Sequence, residues 1–294
     1  MKRRKFIQAL GVIPLIPPMS QLNELKNLAD QFEPTPKMPV LFLGHGSPMN
    51  AIEENEFVTG FRKVAATLPT PKAILCISAH WYTKGTKVTA MQHPPTIHDF
   101  GGFPQALFDV QYPAPGSPEL ANTTTQILQP TPVELDQKWG LDHGAWSVIK
   151  HLYPKADIPT IQMSIDYTQP AAYHFELAGR LQALRSKGIL IVGSGNIVHN
   201  LSLVDFRNIN KDNYGYDWAI EARDTINQLL LAGNYTPLIQ YQQMGRAVQL
   251  AAPTPDHYLP LLYCLGLQTK GETLSLFNDK MVGGSLSMTS VKIG

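Results

Sequence analysis

A chain of 294 residues, 44% hydrophobic and 16% charged, is long enough to bury a sizeable core in one large domain or two small ones. Its net charge of +1, with no basic block beyond the N-terminus, excludes a nucleic-acid face. The two cysteines, Cys76 and Cys264, sit inside apolar runs and read as buried small hydrophobes, so metal chemistry, if present, falls to the 9 histidines.

Residues 1–20, MKRRKFIQALGVIPLIPPMS, place a basic start before a short apolar run. Arg3-Arg4-Lys5-Phe6-Ile7 is similar to a twin-arginine export signal, although no small-x-small cleavage site follows. The run is too short and too proline-rich to span a bilayer. The expectation is a periplasmic or exported protein carried by the twin-arginine export machinery; a disordered basic tail on a cytoplasmic protein is the alternative. Residues 21–37 are polar, end in Pro34-Thr35-Pro36 and read as a linker, which leaves 38–294 for the folded domain.

Val40–Leu43 predicts a short buried strand that stops at Gly44 and delivers His45 into a turn of Gly44, Gly46, Ser47 and Pro48. Apolar spacing from Asn55 to Leu68 predicts a helix ended by Pro69. Ala73–Ser78 predicts a second buried strand, delivering His80 as the first delivered His45. Strand, helix, strand implies a parallel pair with a right-handed crossover, so both histidines leave the same sheet edge, where open α/β sheets bind ligands. Lys87–Gln92 is a further candidate strand. The stretch from His93 to Pro118 is rich in proline, glycine and aromatics. Phe100, Phe103, Phe108 and Tyr112 want burial, so it reads as an ordered loop over the site. Phe103 and its neighbours would form an aromatic wall, and His98 a polar group for substrate.

Pro118–Leu128 reads as a helix. Asp142 is a natural N-cap for a helix over 143–153, which puts His143 at its first position, where the helix dipole favours a neutral imidazole. His151, further along, reads as surface. Thr160–Ile165 is a strand and Ala171–Ser186 an amphipathic helix. Ile189–Val192 is a buried strand leading into Gly193-Ser194-Gly195-Asn196-Ile197-Val198. Val198 occupies the sixth position of what would be a dinucleotide fingerprint, so that reading fails, and the glycines instead turn the chain to bring His199 to the same edge. Asn213–Ala232 and Tyr235–Met244 are helical. Thr254 as N-cap and Pro255 at the first position predict a helix to Gly266, with His257 in its first turn. Thr273–Phe277 and Gly284–Lys292 would add strands at a sheet edge.

In this order, GHGSPM at His45, SAHW at His80, HDFGGFP at His98, LDHGAW at His143, GSGNIVHN at His199 and PDHYLPLLY at His257 resemble the class III extradiol ring-cleavage dioxygenases, in particular the 4,5-DOPA dioxygenase type. The resemblance runs from Pro39 to the C-terminus. It implies an α/β fold: a single three-layer domain with a central, mostly parallel sheet and helices on both faces. It implies one divalent metal per chain, Fe(II) for activity or Zn(II) as bound, held by His45, His80 and His257. His199 matches a proton-transfer group or a further ligand, and His143 a group near the substrate oxygens. A catecholic small molecule and O₂ would be the reactants.

One departure stands out. Non-haem Fe(II) oxygenases usually present two histidines and a carboxylate, whereas here the third position is His257 with Asp256 beside it. An all-imidazole set also suits zinc. Two other readings stay open: a zinc hydrolase, which lacks an evident glutamate base, and a non-catalytic relative that uses the metal-containing pocket for binding.

Overall fold

Along the first strand, Val40 and Phe42 enter one apolar cluster while Leu41 and Leu43 enter another. Leu75 and Ile77 alternate in the same way with Ile74 and Cys76, and Ile189 and Ile191 with Leu190 and Val192. Successive side chains of a strand point to opposite faces, so a strand apolar at every position is covered on both. The computed structural model describes residues 35–294. The export-signal reading of residues 1–20 and most of the linker reading of 21–37 fall outside the described residues. The chain is already tied to the body at its first described residue, where the Thr35 amide donates to the Ser186 carbonyl at 3.0 Å.

Ten strands are described: β1 (Val40–Gly44), β2 (Ala73–Thr83), β3 (Thr86–Thr89), β4 (Val133–Asp136), β5 (Thr160–Asp166), β6 (Ile189–Gly195), β7 (Leu274–Phe277), β8 (Met281–Val282), β9 (Leu286–Ser287) and β10 (Ser290–Ile293). Eight form one sheet in the order β4-β3-β5-β2-β6-β1-β10-β7, and β8 and β9 pair separately. The inner strands β5, β2, β6 and β1 run parallel. The C-terminal β10 and β7 extend the sheet antiparallel beside β1, as the alternating tail predicted. The helices Glu56–Ala65 and His143–Leu152 cover one face. The helices Pro118–Ile127, Ala171–Arg180, Asp217–Leu231 and Leu259–Gly266 cover the other. The expected three-layer α/β domain is the architecture found. Among the described residues, no helix is long and apolar enough to cross a membrane.

Several expectations need correction. β1 and β2 are parallel but not adjacent, because β6 pairs with both. β2 continues past Ser78 to Thr83, yet its pairing with β6 stops at Ser78 and its register with β5 shifts between Ile77 and Tyr82. A register break of this kind re-aims side chains, and it leaves His80 free of the regular ladder. The helix expected over Ala171–Ser186 breaks at Leu181 into Ala171–Arg180 and Gln182–Arg185. The helix expected from Pro255 begins only at Leu259. Its first turn is lost because the His257 carbonyl is taken by the Asn196 amide at 2.9 Å, and Leu261 N–H donates to Tyr258 instead. His151 is buried rather than superficial, with Nε2 on the Asn50 carbonyl at 2.8 Å.

Candidate metal centre

Three chain segments end at one sheet edge. β1 releases His45, the irregular end of β2 carries His80, and the end of β6 holds the backbone of His257 through Asn196. Ring nitrogens of His45, His80 and His257 all lie within 4.8 Å of one another. The closest approach is between His45 Nε2 and His80 Nε2, 3.3 Å apart.

The outer nitrogens decide what the inner ones can do. His45 Nδ1 lies 3.0 Å from Ser194 Oγ. That hydroxyl spends its one proton on the Gly144 carbonyl at 2.5 Å, so it must accept from His45. His45 therefore carries its proton on Nδ1 and turns a lone pair inward on Nε2. His257 Nδ1 lies 2.5 Å from Asp256 Oδ2. Burial pushes the Asp256 carboxyl up, but the bond to His257 outweighs it and holds the group well below the usual carboxylate range. An ionised carboxylate can only accept, so His257 also turns Nε2 free. His80 Nδ1 faces Asp99 Oδ2 at 3.5 Å. His45 and His257 are thus hydrogen-bonded from outside, the arrangement by which proteins orient metal-binding histidines, and His80 faces a carboxylate.

With the His80 proton on Nδ1 toward Asp99, two lone pairs face each other at 3.3 Å and repel unless a cation lies between them; with it on Nε2, His80 donates to His45. Bonds of about 2.0–2.1 Å at a tetrahedral angle would separate two ligand nitrogens by ~3.4 Å, so the spacing fits a bound divalent ion. Burial lowers the pKa of His45 far below the ordinary imidazole value, and the neighbouring His80 and His257 lower it further. His80 is lowered for the same first reason, and then by His143 and His257. These two donors are neutral at pH 7, as ligation requires.

His143 and His199 flank this group. His143 opens the helix His143–Leu152 behind the Asp142 cap, as expected. Asp142 is itself fully buried and accepts from Ser78 Oγ at 2.6 Å and Gln162 Nε2 at 2.7 Å, which fastens the helix start to β2 and β5. The His143 ring centroid is 3.8 Å from that of His80. Its Nδ1 is 3.0 Å from Asp99 Oδ1 but off the line of a hydrogen bond, so that buried nitrogen has no bonded partner. Gly144 lets the helix come this close, since a Cβ there would meet Ser78 Oγ and the His80 ring. The His199 ring stacks on His257 at 3.5 Å and 5° from parallel. It is not one of the three whose nitrogens converge. Burial, and then the neighbouring His257, push His199 down to about 3.

The loop over 93–117 is ordered and seated on the helix His143–Leu152, with Ile97 N–H on the Leu141 carbonyl at 2.7 Å and Trp146 Nε1–H on the Ile97 carbonyl at 2.8 Å. Phe100 sets its edge against His143 at 5.4 Å, and Phe103 packs on Phe100 at 5.5 Å, one layer further out. His98, expected to meet substrate, has Nε2 on the Val110 carbonyl at 2.9 Å and its ring among Phe100, Phe108 and Trp146. The structure therefore places it as a brace within the loop. Sequence reasoning did not single out Asp99 or Ser194. The acid sits beside the singled-out His98, and the serine sat inside a glycine turn.

A family model described as the catalytic LigB subunit of aromatic ring-opening dioxygenase matches residues 37–283. A 4,5-DOPA dioxygenase extradiol of Escherichia coli (strain K12) is 50% identical over 262 residues, covering 88% of this chain and 95% of that protein. One from Beta vulgaris is 35% identical over 258 residues, covering 85% and 94%. The crystal structure of an uncharacterised protein from Escherichia coli K12 superposes with a TM-score of 0.76 at 44% identity, over 88% of this chain and 100% of that one.

Proposed function

We propose, for a chain that belongs to the family of the catalytic LigB subunit of aromatic ring-opening dioxygenases, an extradiol cleavage of a catechol-type, DOPA-like ring by O₂ at the His45, His80 and His257 centre. The chain is an extradiol dioxygenase by family; the substrate, the metal and the residue roles are the further step. The observation that supports it most is the 3.3 Å contact between His45 Nε2 and His80 Nε2, with the His45 proton spent on Ser194. These three imidazoles would hold one divalent ion, Fe(II) in the working enzyme. Bound iron supplies open coordination sites and redox chemistry that relate catechol to O₂, which zinc in the same donors does not.

The protein's own part is proton handling and orientation. A catechol must lose its hydroxyl protons to act as a dianionic electron donor. His143 and His199 stand on either side of the cluster, beside His80 and His257 respectively. His199 is neutral at pH 7, so a ring nitrogen keeps a lone pair that can accept a hydrogen bond from a substrate hydroxyl. Phe100, carried by the loop, packs on His143, which is buried. In the overall reaction the ring bond adjacent to the diol breaks and both atoms of O₂ enter the product, a muconic semialdehyde. Oxygen uptake by Fe(II)-reconstituted protein with catechols tests the reading. Uptake is expected with iron and none with zinc; a hydrolase or a binding protein would show none with either.

A further inference from the structure

Asp99 reaches two imidazoles that belong to different tasks. Its Oδ2 lies 3.5 Å from Nδ1 of His80, in the proposed ligand set. Its Oδ1 lies 3.0 Å from Nδ1 of His143, which stands outside that set, and accepts the His143 backbone N–H at 2.9 Å. The carboxylate therefore sits at the N-terminus of the helix His143–Leu152, where the exposed amides and the helix dipole favour a negative charge. A carboxylate has no proton to give, so its charge favours N–H on Nδ1 in the two imidazoles it faces, by proximity rather than by a formed hydrogen bond to either ring nitrogen. The second nitrogen, Nε2, is then free on both rings: on His80 beside His45, on His143 as the remaining proton acceptor. Asp99 is delivered by the 93–117 loop, and the neighbouring Ile97 fixes that loop to Leu141 and Trp146.

We infer that Asp99 is a shared positioning residue: one carboxylate sets the tautomer and aim of a metal-binding imidazole, His80, and of a substrate-side proton acceptor, His143. The site is thus complete only when the loop is seated. The His143 half rests on the proposed ring-opening function, whereas the His80 half rests on metal binding alone.

The two halves separate experimentally. Asp99→Asn keeps the shape and an acceptor for the His143 amide but loses the charge. Zinc affinity, measured on the full chain by competition with a chromophoric chelator, is expected to fall about 10–100-fold, the usual effect of losing an outer partner of a metal histidine. Asp99→Glu, which keeps the charge, is expected to retain more of that affinity than Asp99→Asn. With saturating Fe(II), Asp99→Asn is expected to lower kcat more than KM. In a His143→Ala background it is expected to cost no further turnover, yet still to weaken zinc. Unchanged zinc affinity in Asp99→Asn, or a lower affinity in Asp99→Glu, overturns the His80 half. Additive losses of turnover in the double variant overturn the His143 half. If the unsubstituted protein consumes no oxygen with any catechol, the ring-opening reading fails, and the zinc measurements still decide the role of Asp99 at His80.

Discussion

His45 Nε2 faces His80 Nε2 at 3.3 Å while the proton of the His45 ring is held by Ser194. Removing either ring should therefore release the ion, whereas removing the hydroxyl that aims His45 should only loosen it. His45→Ala and His80→Ala are expected to purify without metal. Ser194→Ala is expected to bind with about 10–100-fold lower affinity. Metal content per chain and chelator competition separate the two outcomes; a Ser194→Ala protein with unaltered affinity would mean the hydroxyl does not orient the ring.

Gly144 offers a test by volume rather than chemistry. Any Cβ there would press on Ser78 Oγ and on His80 Cδ2, while the Gly144 carbonyl holds the Ser194 hydroxyl. Alanine is the better helix former by roughly 0.5–1 kcal/mol, but overpacking of a closed site costs about 1–3 kcal/mol. Gly144→Ala should fold, lose stability by about the difference, and bind metal more weakly because the His80 ring must shift. Thermal unfolding and metal affinity measured on one sample would show it.

The contrast between Ser194 and His45 marks how far sequence reading reached. His45 was legible because a buried strand ending in glycine is a local pattern, and the Asp142 cap of the helix His143–Leu152 was legible for the same reason. What escaped was set at long range. Nothing near β1 or β2 in sequence says that β6 lies between them, so the partner of His45 on β6 was not foreseeable. The His257 turn looked helical until the strand-end amide of Asn196 took its carbonyl. Asp99 and His98 are neighbours with equal local claims, and the packing of the loop against Trp146 decides which of them faces the site.

Away from the site, Arg185 is fully buried and donates to the Met38 carbonyl at 2.7 Å, the Leu267 carbonyl at 2.7 Å and Glu272 at 2.5 and 2.9 Å. It joins the entry of β1 to the turn before β7. Glu272 is held low at about 2; burial opposes this but the bond from Arg185 prevails. Glu272→Gln leaves a buried guanidinium without its counter-charge, which typically costs 3–5 kcal/mol. Urea unfolding should register about that loss, with metal content and turnover of the folded fraction unchanged.

His174 predicts part of the acid sensitivity independently of the metal centre. It is fully buried with Nδ1 2.9 Å from Tyr263 Oη, and burial lowers it from 6.5 to about 4. A histidine depressed on folding binds fewer protons than in the unfolded chain. Its stabilising contribution is thus complete above pH 6.5 and is lost as pH falls from there toward 4, by about 1.4 kcal/mol per pH unit. His174→Asn should flatten the difference between unfolding free energies at pH 7 and pH 5 relative to the unsubstituted protein. Equal slopes would place the sensitivity elsewhere.

His199 separates ligation from proton transfer. Its ring lies flat on His257, 3.5 Å away, and stands outside the three nitrogens that converge. A stacked neighbour can steady a ligand ring and exchange a proton with substrate without holding the ion. His199→Ala should then keep its iron, bind catechol, and lose on the order of 10²–10⁴ in turnover, the range for a general acid–base group. Loss of metal equal to that of His45→Ala would instead make His199 a ligand. The two are told apart by metal content beside single-turnover kinetics. Full iron with undiminished ring cleavage would exclude both roles and leave His143, beside Asp99, as the proton acceptor.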